Sequence, residues 1–248
     1  MVLLLLVAAA FAAGILNSVA GGGSFLTFPS LVFAGVPAVV ANASSTVALV
    51  PGSGASVFSY REDVLRAGEK RLKSWFLVSL LGGAIGAVLL LSTSDRTFRA
   101  IAPWLLLFAT LLFAFGSKVS TALRGRLHSN QGLMLALLFP MTVYGGYFGG
   151  GMGIMVLAAF RLYGLKDIHA MNGMKAIIGG SLNAIAALIF IGAHRVDWHP
   201  TLYMMAAAIA GGYVGPMLAR RARPAVIRGI VIAVGALMTA WFFHIAPK

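Results

Sequence analysis

Two glycine-rich stretches decide how this chain is read: Asn17–Pro29 is NSVAGGGSFLTFP and Tyr144–Met155 is YGGYFGGGMGIM. Both interrupt long apolar sequence with a glycine triplet. Each triplet is followed by an asparagine inside an apolar stretch, Asn42 in the first half and Asn172 in the second. The triplets are 128 residues apart (149 − 21) and the asparagines 130 (172 − 42). Two matches at nearly one offset predict a duplicated unit of about 120 residues.

Composition identifies a membrane protein. Hydrophobic residues make up 60% of the 248 residues and charged residues 10%, and the mean hydropathy is +0.93. No charged side chain occurs from Met1 to Tyr60, a stretch longer than the roughly 20 apolar residues of one spanning helix. Apolar sequence continues to Phe243, so a signal peptide does not explain it. The fold class predicted is therefore all-α, a polytopic transmembrane helical protein.

The apolar stretches predict two repeats with glycine-broken helices or re-entrant segments near mid-membrane. We divide the chain into an N-terminal membrane repeat (1–118), a connecting basic loop (119–130) and a C-terminal membrane repeat (131–248). The predicted segments are 2–19, 24–35, 38–60, 74–92, 103–117, 131–148, 150–163, 169–193, 201–219 and 226–244.

The distribution of Lys and Arg favours inverted repeats. An even number of crossings per half puts ten basic residues on one side and eight on the other. An odd number, with the connecting loop left out, gives eleven against four, which is the asymmetry expected across a bacterial inner membrane. Inversion requires each glycine-broken segment to contribute either two crossings or a re-entrant hairpin, and the sequence leaves both open.

Lys175 is the charge placed deepest in an apolar stretch. It follows Asp167 by eight residues, about 12 Å along a helix, in a hydrocarbon core about 30 Å thick. An intramembrane ion is costly and is a functional candidate; the alternatives are snorkelling or pairing with the C-terminal carbonyl of a helix. The six carboxylates fall in or beside loops and none is placed mid-membrane: Glu62, Asp63, Glu69, Asp95, Asp167 and Asp197.

Glycine breaks leave backbone N–H groups free, and such groups at helix N-termini bind anions. We therefore predict a binding site for an anionic substrate, built from both breaks and the polar residues near them. Tight packing of glycines and hydrogen bonding between helices are the alternative roles for these residues. The candidates are Asn17, Ser18, Gly21, Gly22, Gly23, Ser24, Asn42, Ser45, Thr46, Gly149, Gly150, Gly151, Asn172 and Lys175.

Other classes of function are disfavoured. The chain has no Cys, which excludes disulfides and thiol chemistry, and we predict no metal site and no cofactor. The net charge of +13 lies in short loops, as in juxtamembrane segments facing anionic lipid, so nucleic acid is not an expected partner. The five His lie near segment ends, and no spacing supports catalysis. The expected partners are a small anion and the lipid bilayer, and a homodimer is compatible with the sequence.

Two long segments carry a resemblance to a known family. SVAGGGSFLTFPSLVFAGVPAVVANASST and GGYFGGGMGIMVLAAFRLYGLKDIHAMNGMKAIIGGSLNAIAALIFI resemble the sulfite exporter TauE/SafE family of membrane proteins, over essentially the whole chain. The family motif falls on Gly21–Ser24 with Pro29 following, and its repeat on Gly149–Gly151, followed by Asn172 and Lys175. The second copy departs from the first, because M-G-I replaces S-F-L after the triplet and no proline matches Pro29.

The resemblance implies outward transport of sulfite, sulfoacetate or related organosulfur anions. An anion that leaves a negative-inside cell gains about 2.3 kcal/mol per charge per 100 mV, so export needs no coupling ion. We therefore expect an integral exporter of a small sulfur-containing oxyanion in the bacterial inner membrane, driven by membrane potential. The alternative is an anion channel or a permease for another small anion.

Overall fold

A computed structural model describes residues 1–19, 21–122, 130–221 and 224–245. This part of the chain forms helices and no strand, which confirms the all-α prediction. Residues 119–122 of the predicted connecting loop belong to a helix, and 123–129 lie outside the described residues. The helices are α1 (Val2–Val19), α2 (Ser24–Phe33), α3 (Ala38–Ser59), α4 (Arg61–Ala67), α5 (Leu72–Leu91), α6 (Asp95–Ala122), α7 (Gln131–Tyr147), α8 (Met152–Tyr163), α9 (Ile168–Gly192), α10 (Trp198–Arg221) and α11 (Pro224–Ile245).

Several helices have the length and composition of membrane spans. Five candidates are found among the described residues: Val2–Val19, Leu72–Leu91, Asp95–Phe115, Ile168–Gly192 and Trp198–Leu218. α2 and α8 have 10 and 12 residues, or about 15 and 18 Å, and are too short to cross the bilayer. The chain is thus a multi-pass helical membrane protein that contains short helices beside its glycine triplets.

Contacts along α3 define the two ends of the bundle. At the start of α3, the Val39 amide donates to Asp95 Oδ1 over 3.0 Å; this is called the Asp95 end. Past the last residue of α3, the Tyr60 ring stacks on His169 with 6.4 Å between centroids, beside α4; this is called the α4 end. Since His169 lies in the first turn of α9, α3 and α9 run in opposite directions.

The remaining long helices align with one or the other of these two. The Asp197 amide, just before α10, donates to Ser44 Oγ near the start of α3, and Gly212 O accepts from Ser56 farther along both helices. α10 therefore runs with α3. α5 runs with α9, because Ser79 and Ser181 share a 2.6 Å hydrogen bond and the first turn of α5 lies at the α4 end.

The short helices return to the end from which their partners start. α1 begins at the Asp95 end, where Val7 and His199 line one groove, and α2 carries Phe28 back to Phe98, 5.8 Å between centroids. α7 and α8 form the same kind of hairpin from the α4 end, where Tyr163 packs against Trp75 at 5.4 Å. The contacts thus form two helical hairpins, α1–α2 and α7–α8, that start at opposite ends of the bundle.

The packing of the helices repeats between the halves. α1 packs on α10 as α7 packs on α5, α2 packs on α11 as α8 packs on α6, and α3 and α9 pack on each other. If α1, α2 and α3 are matched with α7, α8 and α9, and α5 and α6 with α10 and α11, each of these contacts has an equivalent with the two halves exchanged. Inverted repeats predict such an arrangement; the duplication and the pseudo-symmetry stay predictions.

Candidate functional site

The two glycine breaks meet inside the bundle. A Cβ added to Gly21 would lie 2.6 Å from the Cα of Gly153, and one added to Gly149 would lie 3.1 Å from Ser24 Oγ. The backbone is left-handed at Gly21 (φ +78°), Gly22 (+105°) and Gly149 (+82°), where any other residue type is strained. Glycine is therefore required at the breaks both for backbone conformation and for their close approach.

The helices α2 and α8 both begin where the breaks meet. Among the described residues, the backbone N–H groups of Gly22, Gly150 and Gly153 find no hydrogen-bond acceptor. The first N–H groups of a helix have no partner within it, and the helix dipole adds partial positive charge at this end. Two half-helices directed at one point make a site that favours an anion.

A cavity of about 40 Å³ lies at this junction. Its volume holds about three water molecules, which is the size of a small anion. Both hairpins and both central helices, α3 and α9, contribute to its walls. The lining residues are Asn17, Gly21, Gly22, Ser24, Ser53, Ser56, Gly149, Met152, Gly153, Lys175, Ala176, Gly179, Gly180, Leu182 and Asn183.

Lys175 brings a buried positive charge to the cavity. Its side chain is buried, with Nζ 3.2 Å from the Ser18 carbonyl oxygen and 3.1 Å from Asn172 Oδ1. An ammonium group has three donors, so one is left for the cavity. The ion pairs found among the described side chains, Arg66–Glu62 and Arg99–Asp95, lie at the surface, and no carboxylate neutralises Lys175. A buried charge without a counterion is costly, so this arrangement favours binding of an anion.

Asn17 and Ser24 add neutral donors. Asn17 Oδ1 accepts the Gly23 N–H over 2.7 Å, which stabilises the first break and leaves the amide nitrogen of Asn17 available. Ser24, the first residue of α2, lines the cavity, and its hydroxyl has no hydrogen bond within the described part of the chain. Together with Lys175 these groups form a site rich in donors.

Nine of the predicted residues lie at the cavity or directly behind it. Six line it: Asn17, Gly21, Gly22, Ser24, Gly149 and Lys175. Ser18 and Asn172 hold the ammonium of Lys175, and Gly23 holds Asn17. Lys175 lines the cavity, as the binding hypothesis predicts, and it also contacts the carbonyl of Ser18 near the C-terminus of α1, as the alternative hypothesis predicts.

The other five predicted residues, Asn42, Ser45, Thr46, Gly150 and Gly151, lie outside the cavity lining. Ser45 shares a 2.6 Å hydrogen bond with Thr27, which ties α3 to α2, and Thr46 donates to the Asn42 carbonyl within α3. Asn42 Nδ2 donates to the carbonyl of Tyr147, the last residue of α7, over 2.9 Å.

Gly150 and Gly151 contribute backbone rather than a cavity wall. Gly150 O accepts from the Tyr144 hydroxyl over 2.8 Å, and Gly151 is the left-handed residue before α8. These contacts correspond to the packing alternative for those residues.

Five further lining residues were not predicted from the sequence: Ser53, Ser56, Gly179, Gly180 and Asn183. Two signals were present. Asn183 follows Ser53 by 130 residues, the offset that relates Asn42 to Asn172. Lys175, Gly179 and Asn183 are spaced by four, which places them on one face of a helix.

In residues 1–19, 21–122, 130–221 and 224–245, no group of three or more His, Asp or Glu side chains is arranged to hold a metal ion.

Comparison with known proteins identifies the family. The model of the sulfite exporter TauE/SafE family matches residues 6–242. A probable membrane transporter protein of Haemophilus influenzae is 29% identical over 236 residues, covering 93% of this chain and 90% of that protein. Probable membrane transporter proteins of Sinorhizobium and Escherichia coli, the latter YfcA, are each 28% identical, over 91% and 93% of this chain and 86% of each relative.

No solved structure matches the chain. The match to the family model covers nearly all of the sequence, including both glycine breaks and Lys175. The chain therefore belongs to the sulfite exporter TauE/SafE family and is a membrane transporter.

Proposed function

We propose that this transporter exports a small sulfur-containing oxyanion, such as sulfite or sulfoacetate, across the bacterial inner membrane, driven by the membrane potential. The observation that carries the proposal is the position of Lys175. It is a buried cation without a carboxylate partner, and it lines a cavity into which two half-helices direct their N-termini. Family membership supports the choice of a sulfur oxyanion.

The lining favours an anion over a cation or a proton. Its polar side chains are Lys175 and the neutral residues Asn17, Ser24, Ser53, Ser56 and Asn183. A cation site or a proton relay inside a membrane uses carboxylates, and the cavity lining contains none. A sulfur oxyanion instead offers only acceptor oxygens, which match the free donors of Lys175, Asn17 and the backbone N–H groups.

The basic residues orient the protein. Described basic side chains at the α4 end are Arg61, Arg66, Lys70, Arg71, Lys73, Arg161 and Lys166, and those at the Asp95 end are Arg96, Arg99 and Arg195. Because Lys and Arg accumulate on the cytoplasmic side, the α4 end faces the cytoplasm in our proposal. Lys175, in the second turn of α9 from that end, then lies closer to the cytoplasm than to the outside.

Transport requires that the cavity open to one side and then to the other. The two hairpins start at opposite ends of the bundle. They meet at the cavity, where Gly21 lies against Gly153, and Phe28 packs against Phe148 nearby. We infer that movement of one hairpin against the other exposes the bound anion alternately, as in other transporters with broken helices. The membrane potential supplies about 2.3 kcal/mol per charge per 100 mV for an anion moving outward.

Efflux from proteoliposomes tests the proposal. Vesicles loaded with sulfite or sulfoacetate receive a potential that is negative inside, set by a potassium gradient and valinomycin. The expected result is efflux that rises with the imposed potential and exceeds that of protein-free vesicles. Efflux at the protein-free rate for every sulfur oxyanion overturns the cargo, and unitary current steps in a planar bilayer overturn the carrier in favour of an anion channel.

A further inference from the structure

We propose that Gly179 and Gly180 have no side chain because the cargo passes over them, between Lys175 at one end of the cavity and Asn183 at the other. These two glycines, with Ser53 opposite them on α3, are called the throat. The inference rests on the proposed function, since it takes the cavity to be part of the path of a small anion. The throat residues belong to neither glycine triplet and are distinct from Lys175.

Most glycines buried in this bundle are explained by packing. A Cβ on Gly83 of α5 would lie 2.7 Å from the carbonyl oxygen of Leu182, and one on Gly52 of α3 would lie 2.5 Å from that of Ala208. In α9 itself, a Cβ on Gly173 would lie 2.9 Å from Tyr60 Cβ. At such positions only glycine lets the helices approach, as is usual in membrane packing.

Gly179 and Gly180 are different because each has room for a methyl group. A Cβ on Gly179 would lie 3.6 Å from Met152 Cε, and one on Gly180 would lie 3.4 Å from Ser53 Cβ, which are ordinary contact distances. Neither residue has a positive φ. Glycine is a poor helix former compared with alanine. Packing, backbone conformation and helix propensity therefore all allow alanine, and the remaining reason for glycine is the space in front of it.

That space is the cavity. Both glycines line it and are partly exposed to it. A methyl group on either would take up part of a volume that totals about 40 Å³, or about three water molecules. A single added methyl group at the throat thus removes part of the room available to a small anion.

Asn183 supplies a polar group beyond the throat. It follows Lys175 by eight residues on the same face of α9, a separation of about 12 Å. Its amide lines the cavity and makes no hydrogen bond to another described residue. The ammonium of Lys175 is directed away from Asn183, toward Asn172 and Ser18, so a small oxyanion contacts the two groups in succession. Moving between them requires passage over Gly179 and Gly180.

Alanine at the throat tests this inference directly. Gly179→Ala and Gly180→Ala are compared with Gly192→Ala, which lies on the same helix with nothing within 4 Å of the added Cβ. The throat variants are expected to fold with unchanged or higher melting temperature, to bind sulfite at the Lys175 end with similar affinity, and to lose about tenfold or more of the maximal efflux rate. Efflux equal to that of Gly192→Ala overturns the throat.

A second measurement does not depend on the identity of the cargo. The chain has no Cys, so Asn183→Cys introduces a single thiol beyond the throat. A thiosulfonate reagent that carries a sulfonate is applied to sealed vesicles from each side in turn. Labelling from the α4 side is expected to slow about tenfold when Gly180→Ala is added, and to be unchanged by Gly192→Ala. Equal labelling rates with and without Gly180→Ala overturn the inference, whatever the cargo is. Failure of the wild-type protein to carry any sulfur oxyanion overturns the proposed function alone.

Discussion

Lys175 donates a hydrogen bond across the bundle to the carbonyl oxygen of Ser18, 3.2 Å away, in the last turn of α1. The other half contains a neutral version of this contact, in which Asn42 of α3 donates to the carbonyl of Tyr147 at the end of α7 over 2.9 Å. Each central helix thus satisfies the C-terminal backbone of the broken helix from the other half. Of these two contacts, the one made by Lys175 is charged and the one made by Asn42 is neutral, so the two sides of the site differ in charge although their backbone contacts are similar.

Lys175→Ala should abolish anion transport and leave the protein folded. The substitution removes the buried charge and its hydrogen bonds to the Ser18 carbonyl and to Asn172, each worth about 1.5–3 kcal/mol for a charged donor. It also removes the cost of burying an unpaired ion. Efflux from proteoliposomes should fall by about 100-fold or more, with a monodisperse elution profile. Lys73→Ala, which removes an exposed lysine, serves as the control, and wild-type transport by Lys175→Ala would make Lys175 a structural residue.

Asn42→Ala and Asn172→Ala should have different effects, although the two residues occupy equivalent positions in the predicted repeat. Asn42 supports the backbone of α7 and lies outside the cavity lining, so its loss should lower the free energy of unfolding by about 1–3 kcal/mol and leave anion affinity nearly unchanged. Asn172 holds the ammonium of Lys175, so its loss should weaken anion affinity. Thermal melts and equilibrium binding of sulfite separate the two; a loss of affinity in Asn42→Ala alone would contradict the assignment.

Gly21→Ala should be far more damaging than Gly35→Ala. Both residues are left-handed, at φ +78° and +89°, so alanine adds a similar backbone strain of about 1–2 kcal/mol at each. At Gly21 the Cβ also meets Gly153, whereas at Gly35 nothing lies within 4 Å. The difference in melting temperature between the two variants measures the contact of the breaks. Equal melting temperatures would show that the breaks are not in contact.

Single cysteines should locate the two ends of the bundle on opposite sides of the membrane. Ala67→Cys lies at the α4 end and Ser94→Cys at the Asp95 end, and both positions are exposed. With the α4 end in the cytoplasm, an impermeant maleimide should label Ser94→Cys in intact cells and Ala67→Cys only after permeabilisation. The reverse pattern would invert the proposed orientation and the direction of transport with it.

Local sequence was sufficient for the elements of the fold. Apolar runs with few charges predict membrane helices because burial of charge in lipid is prohibitive, and each of the ten predicted segments corresponds to a helix of the structure. The charged helix α4 was not predicted, and α6 begins at Asp95 rather than at 103. Glycine triplets predicted the breaks, since left-handed backbone at Gly21, Gly22 and Gly149 disfavours other residues.

The membership of the site was less predictable. Asn42 and Ser45 have the same residue types as the cavity lining, but they bond to the Tyr147 carbonyl and to Thr27 on other helices. Thr46 bonds to the Asn42 carbonyl within α3. Ser53 and Asn183 carried only the signal of a shared offset. A polar side chain in a membrane helix either joins two helices or lines a cavity, and the rotation of the helix decides which of these occurs.

The sequence by itself determined that this is a multi-pass helical membrane protein with two glycine breaks and a lysine deep in an apolar helix, because these properties depend on composition and on backbone conformation at single residues. Only the tertiary structure decided that Gly21 meets Gly153, that Ser18 holds Lys175 and that Gly179 and Gly180 face open space. The first two relationships join residues more than 100 positions apart, and all three depend on how two hairpins and two antiparallel helices pack together.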